Sequence, residues 1–339
     1  MYRYIGKRLI QLIFVLLGVT FLTFAVTSAA PSDAAEMSYL SKGFTPSAEL
    51  LEETRKEMGL KDPLLIRYAR WLSDALHGDL GQSYSYEESV LAQLNRKLPG
   101  TLRLAGAALV LMLLIAFPLG ILTAVYKNSI VDYAVRLITF VGNSIPNFWL
   151  ALILMFVLAV KLKWFPVIGS DDWYSMILPM VTLAVPLACS YIRQIRVAVL
   201  EELSQEYVTG ARARGLSERR IMFCHVLPNS LVPVITLIGL SIGHLLGGAA
   251  IIETIFSWQG IGNMVVEAIR NRDYPVIQGY VIWMALIYVL INLAVDIACH
   301  LMDPLQRRRL KGNGKADGAN GWHINKPDTG FQKEMECKR

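Results

Sequence analysis

His244, near the middle of the apolar run Leu231–Thr254, is the first side chain whose type and place could do chemistry. A charge at that depth in a bilayer is costly, so His244 is expected to be neutral and to face protein or a watery path. A neutral imidazole there can hydrogen-bond a neighbouring helix, touch a solute in such a path, or ligate a metal. All three stay open, because one histidine is not a metal site. His244 is one residue from Gly243, and Gly239, Gly243 and Gly247 recur every four residues on a face that lets helices approach closely. Asp296 and His300 stand four residues apart near the end of another apolar run, on one helical face. They could suggest proton or metal chemistry, or simply reach water or pair with arginine. The chain has no Gly-x-x-x-x-Gly-Lys-Ser/Thr; Gly312-Asn313-Gly314-Lys315 has no strand before it and no helix after it. No His-Glu-x-x-His and no Gly-x-Ser-x-Gly nucleophile elbow are expected either. Any energy for work comes from a partner.

These residues sit between or inside long apolar runs. Of the 339 residues 54% are hydrophobic and 18% charged, and the mean hydropathy is +0.42. Runs of about 20 apolar residues have the length needed to cross hydrocarbon. The composition predicts an all-α polytopic membrane protein rather than two soluble domains. The net charge of +6 comes from basic residues clustered beside the runs, which is a topology signal and not a nucleic-acid footprint. Cys189, Cys224, Cys299 and Cys337 are scattered without a Cys-x-x-Cys, so neither a disulfide framework nor a zinc site follows.

Six spans are expected. Leu9–Ala30 follows Arg3, Lys7 and Arg8; its length and Pro31 favour a retained span over a cleaved signal, so residues 1–30 form the first helix. Residues 31–100 are polar and read as an external helical domain. There Ser47–Met58 predicts a helix ended by Gly59, Pro63 begins another that ends near Gly78, and Pro99 precedes the second span, Leu102–Val125. Residues 101–310 are the five-helix core. Its run Val131–Leu162 is too long for one straight span, and Asn143, Ser144 and Pro146 in its middle predict a kink that either lines a path or merely packs. Further spans are Met176–Ile195, Leu231–Thr254 and Tyr280–Met302, the last ending at Arg307-Arg308-Arg309. Residues 311–339 read as a disordered tail. Both termini are expected in the cytoplasm.

The polar stretch 193–228 carries Arg193, Arg196, Arg212, Arg214, Arg219 and Arg220. Leu200, Leu203, Tyr207 and Ala211 recur at helical spacing. Gly215 supplies a backbone free to turn, and Ser217 can cap a second helix running towards His225. Pro228 is expected to stop that helix. A helix–glycine–helix elbow between spans has the form of a handle for something outside the membrane, or of an amphipathic pair lying on its surface.

Gly215, nine residues, His225, one more residue and Leu227-Pro228 resemble the cytoplasmic loop of ABC importer permeases. The family's Glu-Ala-Ala falls on Thr209-Gly210-Ala211, where only Ala211 matches. Gly59–Leu64, Tyr68, Trp71-Leu72 and Gly78–Ser83 are similar to the external loop of the dipeptide, oligopeptide and nickel branch, and so are Ser257–Gly262 and Asn271–Pro275. Leu98–Leu111 and Pro146–Ala151 make the nickel-import permease the nearest form, with dipeptides or oligopeptides as the alternative cargo. The resemblance implies a type I importer permease fold in the cell inner membrane. It implies that Thr209, Gly210, Ala211, Arg214, Gly215, His225, Leu227 and Pro228 couple to an ATPase. Asn143, Ser144, Pro146, Gly243, His244 and Gly247 are candidates for the translocation path, with His244 the only candidate metal ligand. The implied partners are a second homologous permease, two ATP-binding cassette subunits that use the ATP, an extracytoplasmic solute-binding protein and the lipid membrane. No cofactor is expected on this chain.

Overall fold

The computed structural model describes residues 2–30, 34–169 and 172–302. The tail 311–339 lies outside the described residues. Residues 1–296 form one compact unit, and the described part of the second is the end of one helix. Among the described residues the regular elements are helical, beside one isolated bridge between Gln82 and Ser89. They are α1 (Tyr2–Ser28), α2 (Ala34–Leu40), α3 (Ala48–Glu57), α4 (Leu64–Leu76), α5 (Val90–Val125), α6 (Ile130–Ser144) and α7 (Asn147–Leu154). There follow α8 (Ile177–Leu203), α9 (Glu206–Ala213), α10 (Glu218–Ile221), α11 (Leu227–Ile255), α12 (Ile261–Asn271) and α13 (Tyr274–Met302). Wider π-helical turns, Met155–Lys161 and Met222–Val226, extend α7 and join α10 to α11.

Helices α1, α5, α8 and α13 are long and apolar enough to cross a membrane, and α6 with α7 makes a fifth crossing if the bent pair counts as one span. Helix α11 has 29 residues, and among its described residues an apolar stretch runs from Ser241 to Ile255. At the centre α5 packs along α8. Leu104, Ala108, Met112 and Ala116 meet a core that includes Leu183, Ala184, Ala188, Tyr191 and Ile195. Gly120 brings the two backbones together, since a Cβ there would lie 2.8 Å from Ile195. Small residues at such contacts let membrane helices gain dispersion energy that longer side chains would forfeit.

Several boundaries differ from the sequence expectation. Helix α5 starts at Val90, so Pro99 lies inside it and the domain boundary at residue 100 falls within one continuous helix. Val90 and Leu94 are buried with Leu80, Ile261 and Val276 in a second small core, and this packing supports the extra turns. The run Val131–Leu162 is broken rather than kinked: α6 and the α7 helix meet at 98°. Ile145, forced out of the helical region by the proline after it, is extended at φ −86°, ψ 124°. Helix α8 continues past Ile195 to Leu203.

Near the α6–α8 junction Ser129 caps α6 by accepting from the Asp132 N–H at 3.3 Å. The Asp132 carboxylate is fully buried. Arg196 of α8 donates to its two oxygens at 2.9 and 2.8 Å, and the Asn128 N–H adds a third bond at 3.0 Å. A two-pronged guanidinium–carboxylate pair fixes orientation as well as distance. At the opposite end the segment before α5 is tied to α12 and the turn that follows it. Ser83 Oγ and the Ser85 N–H donate to Asp273 at 2.6 and 3.1 Å, and Tyr86 donates to Glu267 at 2.6 Å.

Two outcomes follow. Replacing Arg196→Ala removes the two-pronged bond and leaves the buried Asp132 carboxylate only the Asn128 N–H and Arg136, 3.5 Å away, so a thermal melt of the purified chain should register a loss of about 1–3 kcal/mol, with less lost for Arg196→Lys. Tyr86 is raised from its usual 10 to about 12, first by its hydrogen bond to Glu267 and then by burial. Its folded value exceeds its unfolded one, so its contribution is complete below pH 10 and disappears as pH rises to about 12. The melting temperature should therefore fall less steeply over that window in Tyr86→Phe than in the unmodified chain.

Candidate functional site

The elbow is built from the end of α8 onward. The helix expected through Ala211 is interrupted: α8 stops at Leu203, where the Ser204 hydroxyl bonds the Glu201 carbonyl at 2.7 Å, and α9 restarts at Glu206. Serine side chains that bond nearby carbonyls compete with helix continuation in this way. Val208, Ala211, Ile221 and Val226 form the buried face. Thr209, Gly210, Arg214, Gly215, His225 and Pro228 are exposed, Leu227 is half-buried, and Ala211 is the one member of the expected coupling set that is buried.

Gly215 has φ +79° with open space where a Cβ would be. That left-handed backbone is the turn itself. Arg212 and Glu218 close it from both sides with bonds of 2.7 and 3.1 Å, and the guanidinium holds the Glu218 carboxyl below its usual range. Tyr207 donates to Glu202 at 2.6 Å and accepts from Asn229 at 3.3 Å, which ties the elbow to both flanking spans. Burial, and then the bond to Glu202, push the Tyr207 hydroxyl up. Ser217 holds the N-cap backbone of α10 without a side-chain cap bond. Pro228 does not stop the second helix. It lies in the first turn of α11, where a missing N–H costs little, and the π turn carries α10 straight into it. Phe223, which the sequence reading passed over, is 66% exposed on this surface.

The other expected residues are divided between two places. Asn143, Ser144 and Pro146 are exposed at the α6–α7 break, and Ser144 Oγ bonds the Phe140 carbonyl at 2.8 Å. On α11, a Cβ at Gly243 would lie 2.4 Å from the Tyr288 ring and one at Gly239 2.3 Å from Val295, so both positions are packing contacts with α13. Gly247 has open space beside it. The side chain of His244 lies outside the described residues, as do those of Asp296 and His300. Among the described residues no group of three His, Cys, Asp or Glu side chains could hold a metal ion. Gly239-Leu240-Ser241-Ile242-Gly243 has the spacing of a hydrolase nucleophile elbow. It lies inside a helix, and Ser241 bonds the buried Tyr191 hydroxyl at 2.6 Å, so it lacks the strand–turn–helix that such chemistry requires.

A third cluster gathers at Ser257–Gly262 around Glu253, whose ties the sequence does not announce. Glu253, 0% exposed, accepts from Thr101 Oγ1 at 2.6 Å and from the Asn263 N–H at 3.0 Å. Thr101 in turn accepts from the Ile261 N–H at 2.9 Å, and Trp258 Nε1 donates to the Gly100 carbonyl at 3.0 Å. There is no room for more: a Cβ at Gly100 would lie 2.2 Å from the Gln259 carbonyl, and one at Gly260 2.3 Å from the Glu253 carboxyl. The segment Ser257–Gly262 is thereby sealed to α5 and to the end of α11. A carboxylate beside Thr254 at the end of an apolar run, followed by two close glycines, was the available signal.

Comparison with known proteins identifies this arrangement. Residues 116–308 match the binding-protein-dependent transport system inner membrane component family, and residues 1–105 match its N-terminal part. The chain is 38% identical over 327 residues to the probable D,D-dipeptide transport system permease protein DdpB of Escherichia coli (strain K12), covering 88% of this chain and 95% of that one. It is 37% identical over 312 residues to the oligopeptide transport system permease protein AppB of Bacillus subtilis (strain 168), covering 89% and 98%. It is 35% identical over 307 residues to the glutathione transport system permease protein GsiC of Escherichia coli (strain K12), covering 91% and 99%. An inward-facing structure of the MetNI methionine ABC transporter shares the fold, with a TM-score of 0.54 at 20% identity over 63% of this chain and 97% of that one. The chain therefore belongs to the binding-protein-dependent transport system inner membrane components, the permease subunits of ABC importers.

Proposed function

We propose that this permease moves short peptides, and that its elbow is where a partner ATPase pushes. The observation that carries the cargo class is the naming of relatives at 35 to 38% identity for a D,D-dipeptide, an oligopeptide and glutathione. Nickel came first in the sequence reading on the strength of Leu98–Leu111 and Pro146–Ala151. Those are mostly packing residues, which report ancestry more than cargo.

The coupling reading is supported by the elbow's form. Its apolar side is buried in the core while Thr209, Gly210, Arg214, Gly215, Phe223 and His225 face away from it. The Arg212–Glu218 pair and Tyr207 make the elbow stiff, so a load on its exposed side reaches α8 and α11 instead of being absorbed locally. In this reading two cassette ATPases spend the ATP and a second permease of the same family completes the path. A solute-binding protein delivers cargo at the far end, where Ser257–Gly262 lies. Asn143, Ser144, Pro146, Gly247 and His244 border the path. The chain is a multi-pass protein of the inner membrane with both termini in the cytoplasm. It binds no cofactor of its own and performs no hydrolysis.

Two measurements test these assignments. Deleting the chain in its native cell should abolish uptake of radiolabelled dialanine or glutathione and leave nickel uptake unchanged; lost nickel uptake with intact peptide uptake would reverse the cargo assignment. At the elbow, Gly215→Val places a β-branched residue at positive φ, a strain of about 1–3 kcal/mol. Peptide uptake should drop about tenfold with the protein still in the membrane, a drop of about 1.4 kcal/mol on a rate scale, and Gly215→Asn should restore much of it because asparagine tolerates that backbone. Unchanged uptake by well-expressed Gly215→Val would remove the elbow from the coupling path.

A further inference from the structure

The helix α4 carries Tyr68, Trp71 and Leu72, which the transport reading leaves without a task. Leu65, Ala69, Leu72 and Leu76 recur at i, i+4, i+7 and i+11, one stripe of the helix. Leu65 is 67% and Leu76 79% exposed. On the opposite side Arg67, Arg70 and Asp74 line a cavity of about 1010 Å³. The helix is thus apolar on one side and polar on the other, and its apolar stripe is exposed at Leu65, Ala69 and Leu76 with Leu72 half-buried.

Its depth is set by α1. The Tyr68 hydroxyl lies 2.9 Å from Thr20 Oγ1, and the Tyr68 ring meets Phe21 at 5.2 Å and Phe24 at 5.7 Å between centroids. Trp71 meets Phe24 at 5.4 Å, and the Arg67 guanidinium sits 5.8 Å above that same ring. At about 1.5 Å per residue, Phe24 is roughly 6 Å and Thr20 roughly 12 Å inside the end of α1 at Ser28. The stretch Ile10–Ser28 is long and apolar enough to cross the membrane. Helix α4 therefore lies beside membrane-embedded residues, near the ~5–10 Å depth at which interfacial helices rest. Its 13 residues reach about 20 Å, too short to cross.

We propose that α4 is an interfacial helix, with Leu65, Ala69, Leu72 and Leu76 in the acyl chains of the leaflet around the C-terminal end of α1. Lipid fits the stripe better than another protein helix does. Helices that pack inside membranes use small residues to come close, as Gly239 and Gly243 of α11 do against α13. The α4 stripe is bulky leucine with one alanine, and α1 beside it likewise exposes Phe14, Leu22 and Val26. Tyr68 and Trp71 are the amphipathic rings that favour the boundary between acyl chains and water. The domain made of α2, α3 and α4 is then held to the bilayer directly as well as through the chain.

The test is photocrosslinking in native membranes. p-Benzoylphenylalanine is placed singly at Leu65, Leu72 or Leu76, with Asp74 as the control, in the full chain within its assembled importer. Adducts are read by mass spectrometry. Phospholipid adducts several-fold more abundant at the three leucine positions than at Asp74 are the expected result. Adducts to another protein at those positions would assign the stripe to a partner subunit and overturn the proposal. Equal lipid labelling at leucine positions and control would overturn it as well. Neither reading depends on which cargo the importer carries.

Discussion

A carboxylate with no exposed surface must find hydrogen-bond donors within the protein, because no water remains to solvate it. At Glu253 those donors come from two places far apart in sequence: Thr101 on α5, and the backbone at the start of α12. The glycines at 100, 260 and 262 are needed because the groups approach until no Cβ fits between them. Three helices are thus locked by one side chain. Displacing the loop at this end of the molecule either breaks these bonds or carries α5 and α11 with it.

At the other end, Asp132 and Arg196 do for α6 and α8 what Glu253 does for α5, α11 and α12. Between these polar joints the spans touch mostly through small and branched apolar side chains, with the Tyr191–Ser241 hydrogen bond tying α8 to α11. The break at Ile145-Pro146 adds a corner in α6–α7 at which the chain changes direction.

Local signals were legible in the sequence. Ser47 caps α3 by accepting from the Leu50 N–H at 3.2 Å, and α4 follows Pro63, both as their residue types imply. Gly215 turns the chain at positive φ for a reason contained in glycine itself. What failed was whatever depended on distance along the chain. Glu253 and Thr101 are separated by 152 positions, and Asp132 and Arg196 by 64, so nothing in either neighbourhood announces the partner. Pro228 misled because a proline that ends one helix and a proline that opens the next look alike until the preceding residues are seen to be helical. The start of α5 was placed too late because Val90 and Leu94 pack on Ile261 and Val276, which lie far along the sequence. The membrane family was legible because it rests on short motifs; the cargo was not, because the motifs are made of packing residues.

The π turn at Met222–Val226 gives the elbow an unusual transmission. It contains no break, so α10 and α11 form one shaft from the exposed Phe223 to Ile255. A π turn holds about one residue more than an α turn, and one residue corresponds to about 100° around a helix axis. Tightening that single turn to ordinary α geometry would therefore swing α11 about its own axis relative to the elbow, and with it the glycines that face α13. A change of winding in that one turn would thus appear as a change of facing farther along the same helix.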